Sequence, residues 1–128
     1  MSLFELPDEI SALQDSDEAL VVVNREGAIV LMTKQAEELA GVSAEDIVGE
    51  FVEMLVEDNK RWGHQAYRRG YLAEPNDREM DPGLDPHLQR PMDETLVPIK
   101  VRLEPKRIDG ELYVVAHVTE REEGDVPY

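Results

Sequence analysis

His64, Tyr67 and Tyr71 are the residues whose types and spacing point most directly to chemistry. At i, i+3 and i+7 they put an imidazole and two phenols on one face of a helix. An imidazole facing an apolar wall can hydrogen-bond a ligand or coordinate a metal. A phenol adds an apolar ring with a polar tip. Together they read as the polar handles of a small-molecule pocket. Met54, Leu55, Met80, Val101 and Val114 are candidate apolar walls, since Met adapts to varied shapes, and Trp62 is a further aromatic candidate. The plainer alternative is core packing, because aromatics on one helix face and methionines in gaps also simply fill space.

The other titratable residues give weaker signals. His87 falls in a loop, and His117 on the outer face of a strand, near a partner. The three histidines lie on different elements without close ligand spacing, so no metal site is expected. Acidic pairs abound among 29 Asp and Glu, so adjacency says nothing about acid–base catalysis. There is no nucleophile elbow, phosphate loop or metal motif, and the chain reads as a binder rather than an enzyme. With no cysteine, disulfides, thiolate metal sites and cysteine nucleophiles are excluded.

The net charge of -16 sets a boundary on partners. Nucleic acid and anionic membranes are disfavoured, because both are bound by neutralising phosphates with Lys and Arg. The acids are dispersed and Lys is scarce, which suggests a halophilic protein in a salt-rich cytoplasm that screens self-repulsion. No run approaches the ~18 apolar residues of a membrane span.

The elements that must position these residues follow from periodicity. Leu6, Ile10 and Leu13 fall at helical spacing over residues 4–13, with Pro7 in the first turn. This amphipathic helix packs on the domain or on a second copy. Val21 to Val23 and Ile29 to Leu31 read as strands joined by a hairpin at Asn24-Arg-Glu-Gly27. Two short helices follow, the first from Thr33 with Gly41 as its cap, the second from Ser43 with Gly49 as its stop. Residues 51–56 form an apolar turn, 58–72 a longer helix, 74–86 mostly loop, and 88–90 a short strand.

Residues 95–107 alternate, with Val97, Ile99, Val101 and Leu103 on one face. Ile108-Asp-Gly110 turns into a last strand over 112–119. Apolar residues on both faces of that strand point to a covered outer face. With Leu6, Ile10 and Leu13, the residues Tyr113, Val115 and His117 are the expected homodimer contact. The sum is an α+β domain: a five-stranded antiparallel sheet with helices on one face and an N-terminal amphipathic helix. Residues 1–18 are helix and linker, 19–121 the domain, and 122–128 a polar tail.

In this order the segments resemble a PAS domain. The resemblance rests on Leu39-Ala-Gly41 and Ile47-Val-Gly49, the His64, Tyr67, Tyr71 spacing, Arg78-Glu-Met80, and the closing Val118-Thr-Glu-Arg121. The chain departs from the family pattern at Thr33, Asp81 and His117, and in the turn Pro91-Met-Asp-Glu94. The resemblance implies a sensory input module of a kinase, transducer or other regulator, as in two-component systems. It implies a small-molecule ligand or dimerisation, and an exit segment coupled to a downstream effector domain. It leaves the cofactor open: heme with His64 as iron ligand, flavin without a cysteine adduct, or a purely structural dimer. The positions matching the distal and propionate-binding arginines of heme sensors are Leu84 and Gly70.

Overall fold

The structure is a computed structural model and describes residues 6–79 and 86–121. It begins with Asp8–Ser11 (α1), continued by a 3-10 turn over Ala12–Asp15. The helix is shorter than its periodicity suggested. Pro7 is the N-cap, at φ -57° and ψ 150°, rather than a residue of the first turn. A residue before proline is held out of the α region, so the helix does not extend back through Leu6.

Leu20–Asn24 (β1) and Ile29–Met32 (β2) form the expected hairpin. Asn24 closes it by accepting from the backbone N–H groups of Glu26 and Ala28 at 3.0 Å. Gly27 supplies a φ of 87°. The register slips between Val22 and Val23, so Val30 is an extra residue on β2. Consequently Val30 and Leu31 both join the outer cluster, while Ile29 and Met32 join the inner one.

Lys34–Ala40 (α2) and Ala44–Ile47 (α3) follow. Thr33 is fully buried and ties the first of these to the sheet. Its hydroxyl accepts from Leu20 N at 2.9 Å and Ala36 N at 3.4 Å, and donates to Glu18 O at 2.7 Å. One side chain thus caps a helix and a strand end together. Val52–Leu55 and Asp58–Lys60 are 3-10 turns leading into Arg61–Ala73 (α4).

The rest of the sheet comprises Arg78–Glu79 (β3), His87–Gln89 (β4), Leu96–Ile108 (β5) and Glu111–Glu120 (β6). The order is β2-β1-β6-β5-β3, all antiparallel, and β4 pairs with the other end of β5. The 74–86 stretch, read as loop, therefore contributes a two-residue edge strand. Asp109 at φ 52° and Gly110 at φ 82° make the turn that lets β5 and β6 pair along their length.

Alternate residues divide the core in two. Val21, Ile99, Val101, Leu103 and Val114 face α2, α3 and α4. Leu20, Val22, Tyr113 and Val115 face the other way, where Ile10 is buried and Leu6 and Leu13 pack beside it. Of the residues expected to meet a second copy, Leu6, Ile10, Leu13, Tyr113 and Val115 are thus brought together within one protomer, and His117 is not among them.

Candidate functional site

Between α4 and the inner face of the sheet lies a cavity of about 540 Å³. It exists because α4 is a poor core helix: only Tyr71 among its residues is buried. At Gly63, which lines the cavity, an added Cβ would meet nothing within 4 Å. The sheet side is smooth and apolar, from Val101, Leu103, Val114, Ala116 and Val118. The helix side and mouth bring Lys60, His64, Tyr67, Arg68, Tyr71 and His87.

The structure gathers His64, Tyr67, Tyr71, Leu55, Val101 and Val114 around this space. Met54 is not among them. It is 37% exposed and faces away, because its turn directs Leu55 and Glu53 inward instead. Trp62 stands 87% exposed on the opposite face of α4 from the cavity. Met80, like Leu84 and Asp81, lies outside the described residues.

Two residues that the sequence did not single out organise the site. Glu53 is buried, and its carboxylate receives Arg68 through two bonds, Nε at 2.9 Å and Nη2 at 3.0 Å. His64 Nδ1 meets the same carboxylate at 2.7 Å. A carboxylate only accepts, so Nδ1 carries the proton and Nε2 is the ring nitrogen that this pair leaves over. Arg68 also donates to Glu26 O at 2.8 Å, lying across Gly27 so closely that a Cβ there would collide with its guanidinium unless the arginine moved. Gly27 is therefore required twice, by the hairpin and by the arginine. The available signal was Glu53 itself, the one charge in the apolar run Phe51-Val-Glu-Met-Leu-Val56, with Arg68 four residues after His64.

The two tyrosines differ in freedom. Tyr71 donates to Asn76 O at 2.6 Å, and burial pushes its phenol above the usual range against the opposing pull of Arg78. Tyr67 accepts from Arg78 Nη2 at 2.8 Å, and the Arg78 guanidinium lies over both rings. At the mouth, Glu57 Oε1 lies 3.8 Å from Lys60 Nζ and 3.7 Å from His87 Nδ1.

For iron, Glu53 supplies an oriented imidazole, the usual second partner of a metal-bound histidine. Position 70 offers a glycine with open space around it. Among the described residues no group of three or more His, Asp or Glu is placed to hold a metal ion.

His117 belongs elsewhere. On the outer face it sits between Arg102 Nη2 at 3.1 Å and Glu104 Oε1 at 2.9 Å, both meeting its Nε2. Its Nδ1 faces Glu18 Oε1 at 3.5 Å. The hydrogen bond from His117 holds the Glu104 carboxyl below its usual range. At the exit, Arg121 is buried and donates through Nη2 to Pro86 O at 3.2 Å. Pro86 also lines the cavity.

The PAS fold family model matches residues 11–118. The structure is similar to the PAS domain of an HTR-like protein from Haloarcula marismortui, with a TM-score of 0.69, 16% identity, and 89% and 90% of the two chains covered. It is equally similar in TM-score, 0.69 at 14% identity, to a PAS domain from Desulfitobacterium hafniense, covering 87% of this chain and 99% of that one. The PAS domain of nitrogen regulation protein NR(II) from Vibrio parahaemolyticus follows at 0.64 and 19% identity, with 92% and 100% covered. No curated protein matches the chain. The match over 11–118 spans most of the chain, which therefore belongs to the PAS family.

Proposed function

We propose that this PAS domain is a sensory input module that binds a small molecule in the cavity beneath α4 and relays its occupancy, without turnover, to a downstream effector. The observation that carries the reading is the cavity itself: about 540 Å³, apolar on the sheet side and fitted with an oriented imidazole on the helix side. That volume and balance suit a small organic ligand. The relay has a physical path. Pro86 lines the cavity, and its carbonyl accepts from both Ile99 N and the Arg121 side chain, immediately before the exit. A ligand that displaces Pro86 changes how Arg121 is held, biasing one packing of the exit over another.

The module is proposed to work in the cytoplasm as part of a larger regulator. No helix among the described residues is long and apolar enough to cross a membrane.

The test is a thermal-shift screen of small metabolites, with hemin and flavins included, on the wild type and on Gly63→Trp. The tryptophan would occupy the cavity from a position where nothing obstructs it. A ligand that stabilises the wild type and not the variant supports the reading. Equal responses of both proteins, or none, would contradict it. A Soret band on hemin binding, lost in His64→Ala, would assign the imidazole to iron.

A further inference from the structure

We propose that the ligand of this cavity is an apolar-chained carboxylate, with its head at the end lined by Lys60 and His64 and its chain against β5 and β6. The proposal rests on the cavity reading above and adds the ligand's chemical class.

The first observation is the sign of the lining. In a chain with 29 Asp and Glu against 13 Lys and Arg, the charged or chargeable nitrogen groups among the described residues lining the cavity are Lys60, His64, Arg68 and His87, and no described Asp or Glu lines it. The acids nearest these groups, Glu53 and Glu57, pair with them from behind rather than from the cavity. The bias reaches beyond the lining. Residues 59–73 hold Lys60, Arg61, Arg68, Arg69 and His64 and not one acid.

Helix stability does not explain that pattern. A helix favours acids in its first turn and bases in its last, and α4 has neither. Arg61 at its start runs against the dipole. A basic wall on an otherwise strongly acidic protein favours an anion in the cavity over a cation.

The second observation is where polar reach remains. The Tyr71 hydroxyl is spent on Asn76 O, and Arg78 donates to the Tyr67 hydroxyl. His64 Nδ1 is spent on Glu53, so Nε2 is the ring nitrogen left over. Lys60, four residues before His64 and also lining the cavity, supplies the ammonium that pairs with a carboxylate head. Opposite, the sheet offers only the methyl surfaces of Val101, Leu103, Val114, Ala116 and Val118. A second polar group on the ligand would be buried there without a partner. One acidic head and an apolar remainder satisfy both walls.

The experiment is calorimetric titration of the wild type with decanoate, decanol and decylammonium, which share a chain and differ in the head. Decanoate is expected to bind with 1:1 stoichiometry, about tenfold or more tighter than decanol, with decylammonium weakest. Adsorption on the acidic surface would give the reverse order, since the net charge of -16 repels the carboxylate. In the Lys60→Gln, His64→Gln double variant, the gap between decanoate and decanol should close. Decanol binding as tightly as decanoate to the wild type would overturn the carboxylate head and leave the cavity reading standing. Failure of all three to bind a folded protein would overturn both.

Discussion

The two faces of the one sheet use the same strands for opposite ends. On the outer face Leu20, Val22, Leu31, Tyr113 and Val115 close on Ile10, and the layer is filled. On the inner face Val101, Leu103 and Val114 look across an open cavity at α4. The strands are equally apolar on both sides, so the difference lies in what covers them. A four-residue helix bearing one well-placed isoleucine seals its face. A thirteen-residue helix rich in Arg, Gly and Tyr stands off from its face. In this sheet domain, then, the open space is decided by the covering element that packs badly.

The comparison can be broken most sharply at Arg68. If the inner face is held open by the Glu53 cluster, Arg68→Ala leaves a buried carboxylate without its bidentate partner. A loss of about 3–5 kcal/mol in urea unfolding is expected. A loss near that of an exposed ion pair would mean the cluster does not support the site. On the filled face, Ile10→Ala should cost about 2–5 kcal/mol, because Ile10 is wholly buried and its neighbours cannot collapse into an open space. A cost below that range would show that α1 only rests on the sheet.

Gly63→Ala sharpens the contrast from the other side. Its new methyl enters open space on a helix, so the variant should gain about 0.5–1 kcal/mol. Destabilisation would mean that the cavity is smaller than described. The smallest effect concerns His117. Glu104 is held below its usual range by His117, so its contribution is present above the ordinary carboxylate range and disappears as pH falls through the depressed value. His117→Leu should therefore lower stability at neutral pH, and the difference from wild type should shrink on acidification. A difference that grows toward low pH would contradict this assignment.

Much of this was legible in the chain. The alternation of Val97, Ile99, Val101 and Leu103 fixes which side of β5 faces the helices. The His64, Tyr67, Tyr71 spacing marks the face of α4 that lines the cavity. Less legible were features that depend on distant partners. Nothing local distinguishes Met54, which points out, from Leu55, which points in, in a turn whose direction is set by tertiary packing. Tyr113 and Val115 announce a covered outer face, but a pattern of apolar residues cannot say whether the cover is the chain's own helix or a second copy. Glu53 and Arg68 are 15 residues apart and meet only once the helix folds back over the turn. Local periodicity carries no information on such a pair.

The most direct test of the difference between the two faces is a methyl-resolved NMR titration of the wild type with hexanol, a small apolar probe. Saturable shifts at Val101, Leu103 and Val114, with Ile10, Val22 and Val115 unmoved, are the expected result. Shifts at the outer methyls, or none at the inner ones, would show that the cavity beneath α4 is not the place where this domain takes its ligand.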